Sequence, residues 1–248
     1  MIQFRGTGTP PPSGLDVRSL RGRGRGRRAF ILGNGPSVIM HDLSILRKEL
    51  TIGMNASPIL ERNYGFTAEY YCVSDLRFFE VPEKRDLATK GLSPVTLRVL
   101  RSELAALDDP YLAPRTAYLP ALGRDGFAAD LSVGFFHGST TALMALQLAY
   151  YLGCTEVVLL GCDYSYPPNR PRFYAEVDPS PSDPMVSVQV RNVAEAVRLL
   201  KRRGITVVNC SPVSVLRPYV PTASFASLFP VTSTPAGRGP RGGGGGEA

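Results

Sequence analysis

The sequence predicts an α/β fold: a single Rossmann-like open parallel sheet of about six strands, with helices on both faces. Three observations predict it. Short apolar, β-branched runs alternate with amphipathic stretches of helical spacing. Two of the runs, 155–161 and 205–209, are almost continuously apolar, as strands covered on both faces are. Small polar residues then stand just past the carboxyl end of nearly every run, which is the ligand-binding edge of an open parallel sheet.

In chain order, residues 1–28 read as a disordered, solvated basic arm, because they are rich in Arg and Gly and poor in apolar residues. The domain proper is expected over 29–220 and a flexible tail over 221–248, which includes a run of five glycines at 242–246. The first strand is 29–33, followed by a helix at 42–49, a strand at 50–54, a helix at 57–63 and a strand at 69–74. A helix is expected at 94–107 and a strand at 115–119. The helix at 138–152 has the clearest spacing: Ala142, Ala145, Leu146, Ala149 and Leu152 share a face, and Gly153 ends it. A strand at 155–161, a helix at 185–203 and a strand at 205–209 complete the alternation. The stretch 164–184, rich in Pro, Ser and Tyr, is too long for a plain connector and reads as a lid or binding loop.

The net charge of +7 on 248 residues is concentrated at the ends. Seven arginines and one aspartate lie in 1–28, and two arginines and one glutamate in 235–248, so the middle of the chain is balanced. The Arg-Gly repeat offers a surface for nucleic acid or acidic partners, but a solvated lead-in accounts for it as well. Cys72, Cys154, Cys162 and Cys210 lack metal-ligand spacing and read as reduced core thiols. No apolar run is long enough to span a bilayer and no signal-peptide core is present, so a cytoplasmic location is expected. Nothing in the sequence specifies the oligomeric state.

The most informative segment is 30–37, Phe-Ile-Leu-Gly-Asn-Gly-Pro-Ser. An apolar run stops at two glycines that permit a tight turn and close approach of a ligand. Pro36 suits a first helical turn, and such a loop opening onto a helix start favours an anion. It is neither the dinucleotide fingerprint nor the Walker loop. The polar rim comprises Gly33, Asn34, Gly35 and Ser37 after the first strand, Asn55 and Ser57 after the second, and Ser74 and Asp75 after the third. Asp163, Tyr164 and Tyr166 follow the 155–161 strand, and Ser211 and Ser214 follow the last one. Capping and turn formation explain such residues equally well for Ser57, Ser211 and Ser214. Ser139, Thr140 and Thr141 open the long helix, where N–H groups and the helix dipole favour a phosphate. His137 sits beside that start and is a candidate catalytic residue. Asp75 and Asp163 suit a divalent ion beside a diphosphate, or a sugar hydroxyl or base amino group.

These motifs resemble a known group. Gly33 to Ser37, then Gly53-Met54-Asn55 and Tyr70 to Asp75, resemble the nucleotide-binding half of the bacterial sialyltransferase-like glycosyltransferases. The segment 152–164 is similar to their second signature and 209–214 to their closing turn. The same signatures mark the 6-hydroxymethylpterin diphosphokinase-like family. The resemblance covers roughly 29–220. It implies that Asn34, Asn55, Thr140 and Thr141 contact a nucleotide donor, and that Tyr166 and Tyr174 stand nearest the phosphate-contacting tyrosines. The histidine base that the sialyltransferases carry before their last helix is absent around Ser187, because no histidine follows His137. Asp183 is the candidate replacement, and Asp163 the acid expected to act on charge. The glycosyltransferase reading implies a CMP-sugar-like donor and a small-molecule or glycan acceptor. The diphosphokinase reading implies ATP, with Mg²⁺ held by Asp75 and Asp163. A non-catalytic nucleotide-binding module, with the basic arm as recruiter, is the third reading.

Overall fold

The structure, a computed structural model, describes residues 14–107, 109–112, 115–176 and 183–229. Strand β1 (Arg28–Leu32) leads through two short 3-10 turns to β2 (Leu50–Met54), helix α1 (Ser57–Tyr64) and β3 (Tyr70–Val73). Helices α2 (Arg77–Glu80) and α3 (Pro82–Ala88) precede β4 (Leu97–Arg101) and β5 (Thr116–Leu119). A small parallel pair follows, β6 (Ala121–Gly123) and β7 (Phe135–Phe136). Then come α4 (Thr141–Tyr151), β8 (Glu156–Leu160), α5 (Val186–Arg202) and β9 (Thr206–Asn209).

The main sheet has seven strands in the order β5-β4-β3-β2-β1-β8-β9, and every pairing is parallel. The extra strand is β4. The expected helix at 94–107 is instead this strand followed by a 3-10 turn at Ser102–Leu107. Leu97, Val99 and Leu100 are covered on both faces, and a segment with no exposed stripe packs better between neighbours than on a surface.

Alternation along β1 assigns the two faces. Ala29 and Ile31 join the cluster that carries α4 and α5, whereas Phe30 and Leu32 join the one beneath α1 and the 3-10 turn Leu43–Lys48. A third cluster, Tyr71, Val73, Leu100, Phe78 and Phe79, extends the core under α2 and α3.

Both expected ends need correction. Residues 1–13 and 230–248 lie outside the described residues, but 14–28 and 221–229 are built into the domain. Val17 and Leu20 are buried in a 3-10 turn capped by Asp16. In the Arg-Gly repeat, the amides of Gly22, Gly24 and Gly26 bond to the carbonyls of Tyr151, Leu152 and Gly153. A Cβ on Gly24 would stand 2.8 Å from the Cys154 sulfur. The glycines dock and the intervening arginines Arg23 and Arg25 point to solvent, which is why the repeat has low complexity without being a free arm. At the other end, Phe229 stacks on Phe30 with ring centroids 5.8 Å apart, and Arg28 bonds both Glu49, at 2.6 Å, and the Leu228 carbonyl. No described helix is long and apolar enough to cross a membrane. All four cysteines are buried and unpaired with one another.

Candidate nucleotide site

The strand order reverses between β1 and β8, so the loops after these two strands meet at the carboxyl edge of the sheet. Their contact is backbone on backbone. The Gly33 amide bonds the Leu160 carbonyl at 2.7 Å, and the Gly35 amide bonds the Gly161 carbonyl at 2.8 Å. A Cβ on Gly33 would overlap the Gly161 carbonyl, and one on Gly35 would reach the Asp163 carboxylate at 2.5 Å. Only glycine lets these turns close.

The seam opens into a cleft of two joined lobes. The inner lobe, about 100 Å³, is lined by Gly33, Asn34, Gly35, Asn55 and the 161–166 turn. The outer lobe, about 420 Å³, is bounded by Ser74, Asp75, Arg101, His137, Ser139 and Asp183. Asn55, Thr140, Thr141, Tyr166 and Arg172 line both. Among the described residues, the non-glycines at positive φ are Asn55, Ser139, Tyr164 and Tyr166, and all four line this cleft. Backbone strain of this kind persists only where surrounding structure enforces it, and it gathers at ligand sites.

The second and third strands are tied to α4 through one hydroxyl. Ser74 donates its amide, at 3.3 Å, to Thr141 Oγ1, and the two hydroxyls lie 3.0 Å apart. Thr141 donates to Asn55 Oδ1 at 3.4 Å. Asn55 Nδ2 has no bonding partner among the described residues, and so is available to a ligand. Thr140 caps α4 by accepting from the Ala142 amide, and Tyr164 reaches its hydroxyl at 3.1 Å. The N-terminal end of α4 therefore faces the cleft with its positive dipole end.

Several expected residues are already engaged by the protein. Asn34 accepts the Ala56 amide at 3.1 Å and donates to the Met54 carbonyl, clamping the second loop to the first. Ser37 lies beneath the cleft: its amide, at 2.9 Å, and its hydroxyl both donate to Asp163, which is 2% exposed. Asp75 pairs with Arg77 at 2.7 Å. Asp183 accepts the Met185 amide and, at 2.7 Å, the side chain of Gln189. Tyr174 lies off the cleft, where its hydroxyl donates to Glu176, the partner of Lys84.

His137 accepts the Ser139 amide on Nδ1 at 3.2 Å. Burial, then the charges of Arg101 and Arg124, hold its pKa below the ordinary value. The neutral form is thereby favoured, and with Nδ1 accepting from Ser139 the proton of that form sits on Nε2 as a hydrogen-bond donor. The other histidine, His41, sits against Phe225 in a separate apolar cleft.

The candidate carboxylates are each taken up by partners within the protein. Asp75, Asp163 and Asp183 each serve separate local donors, and no group of three His, Cys, Asp or Glu among the described residues converges on one point.

Sequence reasoning missed Arg101, Arg172 and Gln189. Arg101 was hidden inside a supposed helix. Arg172 lay in a loop read for its tyrosines. Gln189 links Asp183, the Ser139 carbonyl and the Tyr166 hydroxyl, a set of contacts that no local pattern announces.

No protein-family model matches the chain, and no curated protein matches it in sequence. In structure it is similar to the sialyltransferase CstII from Campylobacter jejuni, described in complex with cytidine-5'-monophosphate. Identity is 15% and the TM-score 0.52, over 80% of this chain and 86% of that one. It is also similar to the MAf glycosyltransferase from Magnetospirillum magneticum AMB-1, with 14% identity and a TM-score of 0.59 over 89% of this chain. This chain spans 39% of that larger protein. At such identities the likeness is one of fold.

Proposed function

We propose that this chain is a glycosyltransferase that takes a nucleotide-sugar donor in the cleft between the β1 and β8 loops and passes the sugar to a hydroxyl acceptor. The observation that carries the reading is the convergence at this seam of a glycine-only turn, the N-terminal end of α4 and the four positive-φ side chains. The fold shared with CstII, which is described with CMP bound, supports a nucleotide donor of that kind.

In this reading the bond from the sugar's anomeric carbon to the phosphate oxygen breaks, and its electron pair leaves with the nucleotide. The α4 N-terminus faces the charge that grows there. The acceptor hydroxyl forms the new bond and yields its proton to Asp183, which stands just ahead of α5 on the outer lobe. Gln189 and the Met185 amide orient that carboxylate and leave each oxygen a free lone pair. His137 serves as a neutral donor to the sugar or acceptor.

A thermal-shift panel of CMP, UDP, GDP and ATP, with and without Mg²⁺, tests the reading. We expect CMP to stabilise the protein without metal, by about 2.7 kcal/mol when the ligand stands near a hundredfold over its Kd. Stabilisation by ATP alone, and only with Mg²⁺, would replace glycosyl transfer with diphosphoryl transfer. Stabilisation by none of them would remove the donor site.

A further inference from the structure

We infer that Arg172, stacked on Tyr166, is the group that takes the negative charge of the donor phosphate. The inference rests on the nucleotide-sugar reading and adds to it a residue and a mode of charge neutralisation.

Position comes first. Arg172 lines both lobes of the cleft, as do Thr140 and Thr141 at the start of α4. A phosphate linking a nucleoside in one lobe to a sugar in the other would pass these shared residues.

Charge comes next. The other arginines on the outer lobe already have carboxylate partners: Arg77 pairs with Asp75 and Arg101 with Glu103. His137 favours its neutral form. Arg172 has no carboxylate partner among the described residues. One of its nitrogens donates to the Pro171 carbonyl at 3.1 Å, the guanidinium also lies within reach of the Tyr166 hydroxyl, and no carboxylate among the described residues competes with a phosphate for its other N–H groups. A guanidinium fork matches two phosphate oxygens at once and supplies the countercharge that a metal would otherwise bring.

The side chain is also held ready. Its guanidinium lies 4.5 Å from the centroid of the Tyr166 ring. Tyr166 is fixed in turn by a left-handed backbone, at φ 41°, and by its hydroxyl's bond to Gln189. The following residue anchors the backbone, since the Phe173 amide bonds the Asn34 carbonyl at 3.1 Å. The loop that carries the cation is thereby stitched to the glycine turn that would receive the anion. Tyr166 is a positioning residue in this scheme, and its ring matters more than its hydroxyl.

Calorimetric titration of CMP, cytidine, UMP and uridine into the wild-type protein and its variants tests this. The quantity read is the affinity ratio of each nucleotide to its nucleoside. In the wild type we expect a preference for the phosphate of roughly tenfold or more. Arg172→Met should bring the ratio close to one while leaving nucleoside affinity and Tm unchanged, and Arg172→Lys should restore only part of it. Tyr166→Phe should keep the ratio and Tyr166→Leu should lower it. A folded Arg172→Met protein that retains the wild-type ratio overturns the inference, as does one that loses nucleoside binding to the same extent. A wild-type protein that binds none of the four overturns the donor reading itself.

Discussion

Asp163 carries a carboxylate that is almost wholly removed from water, and it remains useful because Ser37 meets it with both an amide and a hydroxyl. The pair spans 126 residues and joins the β1 turn to the β8 turn. Replacing Asp163 with Asn puts an NH₂ group against one of those donors. We expect a loss of about 1–3 kcal/mol in urea unfolding, the cost of leaving a buried polar group unsatisfied. Ser37→Ala should lose a similar amount, and the double variant less than the sum of the two. Additive losses would show that the residues do not act as a pair. Asp163 was legible in the sequence as a polar residue beyond a strand. Ser37 was legible in the same way after the first strand, but their pairing was not, because nothing local links positions so far apart in the chain.

At the scale of elements, the strands beside the seam were readable because burial on both faces leaves a continuous apolar run. The segment 94–107 misled because its leucines also fit a helical stripe, and only the room beside β3 decides for a strand. Helix α1 holds a different kind of information. Burial pushes the Glu61 carboxyl up to about 7 from an ordinary 4.5, and only one of its oxygens has a partner, the Ala68 amide at 3.0 Å. The folded state therefore favours the protonated form. Stability from this group is fully present below pH 4.5 and falls as the pH rises towards 7, by about 3 kcal/mol in all. Urea unfolding at pH 4.5 and pH 8 should show Glu61→Gln losing less stability across that interval than the parent does. Equal losses would mean that this carboxyl ionises in the folded state as freely as in the unfolded chain.

Across the whole molecule, the segments 14–28 and 221–229 are part of the fold that positions the cleft. The Arg-Gly repeat lies along the turn after α4, the helix whose other end opens the site, and Leu20 is fully buried beneath it. Composition alone hid this, because glycines that dock through their backbone look the same in sequence as glycines in a free linker. Leu20→Ala should cost about 2–5 kcal/mol by chemical denaturation, as core truncations do. A loss below about 0.5 kcal/mol, the range of surface substitutions, would return the segment to the status of a solvated arm. The central claim is that the tips of β1, β2 and β8 and the head of α4 grip one donor. Amide hydrogen exchange with and without saturating CMP addresses it most directly. Slowed exchange confined to 33–37, 55–57, 139–142 and 161–166 is the predicted result. Slowing confined instead to 40–45 and 222–229, around the apolar cleft of His41 and Phe225, would contradict it.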